Sequence, residues 1–178
     1  MMPLTQTQAL YYMNALGKKR EPFFFVISYD TSNNYIIPLK EANTTHLLYA
    51  SPTFSYSDST YNHHQHPFLW KSIPPSLVAY QQQFSSLFTH LKKGSIKVAN
   101  LTCKSKVITS LTLKEIFYQA QAPYRLWLYD HKNSSQRSPL EFVSFSPEPF
   151  VSLKGGVIQS FPMKGTIDAS LPRAKEQL

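Results

Sequence analysis

No apolar run in this chain exceeds the five residues Phe23-Phe24-Phe25-Val26-Ile27. A membrane span takes ~20 apolar residues, so none is written here. A core must instead be assembled from short strands and amphipathic helices separated by turns. Two clusters of turn residues convert neighbouring runs into hairpins. Asp30-Thr31-Ser32-Asn33-Asn34 separates 23–29, which reads as a strand buried on both faces, from 35–39. Lys154-Gly155-Gly156 separates 150–153 from 157–160 in the same way. Residues 46–50, 124–129 and 142–145 read as further strands, and 96–107 as extended chain.

The helices announce themselves by period and caps. Between Thr5 and Leu16, Ala9, Leu10, Tyr12, Met13 and Leu16 recur near 3.6 residues, with Gly17 read as the stop. Ser76 caps a helix running to about Lys93, with Leu77, Tyr80, Phe84, Leu87, Phe88 and Leu91 on one side and Gly94 closing it. Thr112 opens a shorter helix carrying Leu113, Ile116, Phe117 and Ala120, which ends before Pro123. Residues 51–75 are rich in Ser, Tyr, His and Pro, show no period, and read as a long loop. From Leu171 the tail reads as the start of a helix. Strands outnumber helices and sit in hairpins, so the expected class is α+β, a largely antiparallel sheet with helices packed on it. The expected organisation is an N-terminal lobe over 1–75 and a second part over 76–178, one structural unit with no firm boundary and no internal repeat.

Composition excludes several classes. Apolar residues make up 42% and charged residues 16% of the 178, which is a folded chain and not a charge-rich disordered one. The net charge of +8 is scattered in twos and threes (Lys18, Lys19, Arg20; Lys92, Lys93; Lys104, Lys106) without interleaved aromatics or a nucleic-acid-binding motif. No nucleic-acid partner is expected; a diffuse positive field suits a small polyanionic substrate. One cysteine, Cys103, allows no internal disulfide and no Cys-based zinc site, which fits a reducing, cytoplasmic setting. Cys103 has no histidine-partner pattern and reads as a packed residue. The basic cluster at 18–20 follows the first apolar residues, the reverse of a secretory signal. His63-His64-Gln65-His66 could attract a metal, but ligands at i, i+1 and i+3 of a loop lack fixed geometry and no carboxylate supports them. A surface loop is expected there, and no metal site.

The C-terminal third carries the chemistry. Ser146-Pro147-Glu148-Pro149-Phe150 precedes the second hairpin, and Pro162-Met163-Lys164-Gly165-Thr166 follows it; upstream stands Asn100-Leu101-Thr102 after a long helix. This order resembles the chorismate-utilising enzymes, and most closely the synthase subunit of aminodeoxychorismate synthase, over roughly 76–178. In that family a strand ends in S-P-E-R-F, a hairpin follows, and the next strand leads into P-I-K-G-T. The lysine discriminates, because anthranilate synthases carry alanine there. Two letters differ: Pro149 stands where the family usually has arginine, and Ile167-Asp168 replaces an arginine often found after K-G-T.

The resemblance implies roles. Lys164 would add to the substrate ring, Glu148 would be the acid/base for the C4 oxygen, and Gly165 and Thr166 would line the substrate site. It implies chorismate as substrate, a glutamine amidotransferase subunit as the ammonia-delivering partner, and Mg²⁺ as cofactor, in the making of 4-amino-4-deoxychorismate. The other readings are an anthranilate or isochorismate/salicylate synthase, and a non-catalytic binding domain of the same fold. The family's magnesium-binding glutamates, its D-L-x-R-N-D segment and its G-S-x-T-G-A-P-K loop do not occur in these residues. The expectation is therefore an N-terminal part of such an enzyme, inactive by itself.

Overall fold

The computed structural model describes residues 3–58, 61, 67–97, 99–130, 140–146 and 151–161. Along the chain run α1 (Gln6–Lys19), β1 (Phe23–Ile27), β2 (Asn34–Pro38), β3 (Leu47–Ala50), β4 (Ser55–Tyr56) and β5 (Trp70–Ile73). Then come α2 (Leu77–Lys92), β6 (Lys106–Thr109), α3 (Leu113–Gln119), β7 (Tyr124–Asp130), β8 (Leu140–Ser146), β9 (Val151–Lys154) and β10 (Val157–Ser160). Every strand pairing is antiparallel, as the sequence implies. The class is α+β. No described helix is long and apolar enough to cross a membrane.

One sheet organises the core. Its strand order is β4-β3-β7-β8, and the β3–β7 register sets Leu47 opposite Leu128 and Leu48 opposite Trp127. Successive side chains on a strand point to opposite faces. Leu47 and Leu128 therefore enter one cluster with Tyr35 and Ile37 of β2, filled in by Phe24, Val26 and Phe142. Leu48, Ala50 and Trp127 enter another, against Phe117 of α3. A third cluster joins Ala9 and Leu16 of α1 to Ile36, on the far side of β2. The layers are thus α1, the β1–β2 hairpin, the four-stranded sheet and α3.

This layering corrects the reading of the first hairpin. The strand buried on both faces is β2, whose five residues are all buried, and not β1. On β1, Phe24 and Val26 meet the sheet, but α1 packs over β2 and leaves Phe25 61% exposed. Gly17 is not a stop either. The first helix continues to Lys19, and Arg20 ends it in the left-handed region at φ 56°, donating its N–H to the carbonyls of Leu16 and Gly17. Thr5 begins that helix with a capping box, as Thr112 begins α3 and Ser76 caps α2. Residues 51–75 are not loop throughout, because β4 and β5 interrupt them. Tyr61 stacks on Tyr118 of α3 at 3.9 Å, and the Asp58 N–H donates to the Tyr118 hydroxyl at 3.1 Å.

Three polar residues cross-link this core, although the buried Asn34 Oδ1 and Arg125 Nε find no hydrogen-bond partner among the described residues. Asp130, fully buried, accepts from the Tyr35 hydroxyl at 3.2 Å, and burial followed by the Asp130 charge pushes that phenol up to about 12. Asn34 ties the N-terminus down, its Nδ2 donating to the carbonyls of Leu4 at 3.0 Å and Thr31 at 2.8 Å. Arg125 donates to the carbonyls of Phe117 and Ala120 at the C-terminus of α3 and lies over the Phe117 ring.

Two predictions follow from these contacts. Leu128→Ala leaves a void at a fully buried position shared by β2, β3 and β7, and should cost about 2–5 kcal/mol in urea unfolding. In the β1–β2 turn, Asp30 accepts from the Ser28 and Ser32 hydroxyls at 2.8 Å each and from the Ser32 N–H at 3.1 Å. Those donors, the Ser28 hydroxyl first, lower its pKa from 3.8 to about 2. A carboxylate with a lowered folded pKa adds stability above the unfolded value and loses it as pH falls through the folded one. The melting-temperature advantage of wild type over Asp30→Asn should therefore be constant above pH ~4 and close between pH ~4 and ~2.

Candidate functional site

The segments flanking the candidate site are described even though the site residues are not. Glu148, Lys164, Gly165 and Thr166, with His63, His64 and His66 and the tail from Leu171, lie outside the described residues. β8 runs along β7 over its whole length, Tyr124 opposite Ser146, and so delivers the chain at Ser146, immediately before Pro147-Glu148. β9 and β10 then form the hairpin read from the sequence. Gly155 and Gly156 take φ +57° and +78°, the pair of positive angles a two-residue turn of this hand requires and side chains rarely adopt. Its open end pairs Val151 with Ser160. In the sequence Glu148 stands three positions before that pair and Lys164 four after it.

Beside the end of β8 lies an open cavity of about 520 Å³, lined by Phe68, Trp70, Leu111, Ile116, Gln119, Ala120 and Phe145. Among the described residues the lining is apolar, with one amide and no cation. Such a wall can hold a ring but offers nothing to a pair of carboxylates. The strand supplying Trp70 was hidden in the stretch read as loop. Its signal was Phe68-Leu69-Trp70, an aromatic cluster suited to a strand inside a Ser- and Pro-rich segment.

Titratable groups near the sheet have structural partners. Trp127 donates its indole N–H to Glu141 at 2.8 Å, so that carboxylate serves the sheet. The Lys114 ammonium lies over the Trp127 ring, 5.4 Å from its centroid. A second cavity, of about 380 Å³, is bordered by Lys40, but Glu21 holds that ammonium at 3.0 Å and raises its pKa. Among the described residues no three His, Cys, Asp or Glu side chains come together as a metal site would need.

Residues 56–178, which include Glu148 and Lys164, match the family described as chorismate binding enzyme. The chain belongs to that family. It is 35% identical over 165 residues to an uncharacterised PabA-like protein of Haemophilus influenzae, covering 93% of this chain and 47% of the relative. It is equally similar to the PabA-like protein PM1464 of Pasteurella multocida, covering 48% of that protein. The chain thus spans about half the length of the curated relatives it matches. No solved structure matches it.

The Trp127–Glu141 contact has a direct test. If Glu141 serves the fold alone, Glu141→Ala should lower stability by about 1–2 kcal/mol and alter tryptophan emission, while Glu141→Gln, which keeps an acceptor, should do little.

Proposed function

We propose that this chain carries the reacting lysine and acid of an aminodeoxychorismate synthase component I, the enzyme that converts chorismate and ammonia to 4-amino-4-deoxychorismate. The observation that carries the reading is the family match through 56–178, which spans Glu148 and Lys164 on either side of the β9–β10 hairpin. Lysine at position 164 favours amination at C4 over anthranilate formation, for which the resembling enzymes have alanine.

Replacing the C4 hydroxyl by an amine is difficult because hydroxide leaves poorly. A covalent route divides the difficulty. The neutral Lys164 amine bonds to the ring as the C4 oxygen departs, and Glu148 supplies the proton that lets it leave as water. Ammonia then takes the C4 position and the lysine is expelled with its own nitrogen. Pro162 restricts the backbone ahead of the lysine, and Gly165 permits close approach by the ring. Ammonia comes from a glutamine amidotransferase partner.

Chorismate is a dianion, and Mg²⁺ in this family supplies charge for its carboxylates. The described residues do not assemble a ligand set for the ion.

Two outcomes are expected. Residues 1–178 alone should form no aminodeoxychorismate from chorismate and ammonium, with or without Mg²⁺, in a mass-resolved assay; product above a Lys164→Ala control would overturn the reading of an incomplete site. Grafted in place of the matching segment of the Haemophilus influenzae relative, the chain should turn over chorismate, and Lys164→Ala should lower the rate by at least ~100-fold. Undiminished turnover by that variant, or anthranilate as product, would sink the proposal.

A further inference from the structure

The two edges of the β1–β2 hairpin differ, and the difference is written in single residues. Leu39 donates its N–H to the Pro22 carbonyl at 2.9 Å, and Ser28 donates to the Asn33 carbonyl at 3.3 Å. Backbone groups of an antiparallel strand alternate between its two sides, so Pro22, Phe24, Val26 and Ser28 spend theirs on β2. Those of Phe23, Phe25 and Ile27 point the other way, where β1 has no neighbouring strand among the described residues. By the same alternation Asn34, Ile36 and Pro38 carry the outward groups of β2. That edge is blunted. Leu4 exchanges both backbone hydrogen bonds with Asn34, at 2.7 and 3.0 Å, and Pro38 has no N–H to give. The β1 edge carries none of these defences. No charge, proline or bulge interrupts Phe23–Ile27, and the carbonyl of the preceding Pro22 is already spent on β2. One face of β1 is closed by rings, with Tyr49 at 5.3 Å, Tyr56 at 6.1 Å and Phe54 at 6.3 Å from Phe24. The other face is bare beside α1, with Phe25 61% and Ile27 42% exposed.

We infer that the β1 edge is an interface between two copies of this chain, which pair antiparallel about a two-fold axis at Phe25 and join their hairpins into one continuous sheet. The strand is complementary to itself in that register. Phe25 stands opposite the partner's Phe25, and Phe23 opposite the partner's Ile27. All of these positions direct their backbone groups outward, so each facing pair can exchange both of its hydrogen bonds. Their side chains meet as apolar cross-strand pairs on the bare face, while Phe24 meets the partner's Val26 on the other. Charge is complementary as well. Continued past the strand, the register brings Arg20, at the end of α1, toward the partner's Asp30, and the two-fold repeats that contact. Asp30 takes its three turn hydrogen bonds on Oδ1, which leaves Oδ2 for an arginine. Glu21 falls opposite the partner's Tyr29, and Lys19 opposite the partner's Thr31, so the register sets no like charges face to face. The blunted β2 edge closes the assembly at two copies, because hairpins joined β1 to β2 in an open row would need that edge free.

The experiment uses residues 1–178 in solution. Sedimentation equilibrium at ~100 µM, which detects dissociation constants up to that order, should show two copies and no larger species. In a Cys103→Ser background, Phe25→Cys should give a disulfide-linked dimer on mild oxidation. Facing Cα atoms of a hydrogen-bonded pair lie about 5.5 Å apart, within disulfide reach. Phe23→Cys should not cross-link, because its counterpart in the second copy lies four positions along the strand, about 13 Å away. Phe25→Lys sets two ammonium groups against each other and should shift the chain to monomer with its circular dichroism unchanged, whereas Phe25→Val should keep the dimer. Arg20→Glu should raise the dissociation constant at least ~5-fold. Should Phe25→Lys fail to fold, the two cysteine variants decide alone. The inference is overturned if the chain is monomeric at ~100 µM, the result expected if another segment of the chain or a different protein occupies the edge. It is also overturned if both cysteine variants cross-link equally, or if open-ended assemblies form. Turnover is read nowhere in this test, so its outcome is separate from that of the proposed chemistry.

Discussion

The pairing of β3 with β7 is the contact on which the rest of this structure depends. Its register assigns Leu47 and Leu128 to one face and Leu48 and Trp127 to the other. A slip by one residue would exchange those sets, so that Trp127 would press on Tyr35 and Ile37 while Leu128 faced α3. The β1–β2 hairpin and α3 can pack only while this alternation holds, and α1 packs in turn on the hairpin. The buried Tyr35–Asp130 bond spans 95 positions of sequence and locks β2 against β7 in the same register.

Much of this architecture is legible in the sequence because it is local. Thr5, Ser76 and Thr112 announce helix starts through a side-chain oxygen reaching a backbone N–H three residues on. Gly155-Gly156 writes its turn in the only residue type comfortable at both angles. What the sequence hides is decided by neighbours distant along the chain. Phe23-Phe24-Phe25-Val26-Ile27 reads as doubly buried, but the layer on its second face covers β2 instead. Gly17 loses to Arg20 as the helix end because the αL turn at Arg20 satisfies the last carbonyls, and its strain is met by those bonds. β5 is masked by the Ser- and Pro-rich composition around it and exists through its pairing with β6, more than thirty residues on.

The candidate site is legible in a different sense. Glu148 and Lys164 are readable as two short motifs at a hairpin's separation, and the hairpin is there. Periodicity could not have found them, since neither motif carries a pattern of burial. The apolar cavity beside β8, in contrast, could not be read in advance, because Trp70, Ile116 and Phe145 meet only through the fold.

Charge links the proposed chemistry to the scaffold. Under the proposed function the substrate is a dianion that needs cations; the chain is rich in them, yet several in the described scaffold are engaged in holding it together. Lys40 is bound to Glu21, Lys114 and Lys92 lie over aromatic rings, and Arg125 caps α3. The cavity wall next to the S-P-E strand is apolar. Under the proposed chemistry Lys164 must also shed its proton, and a lysine does so near neutral pH only when buried or set beside another cation.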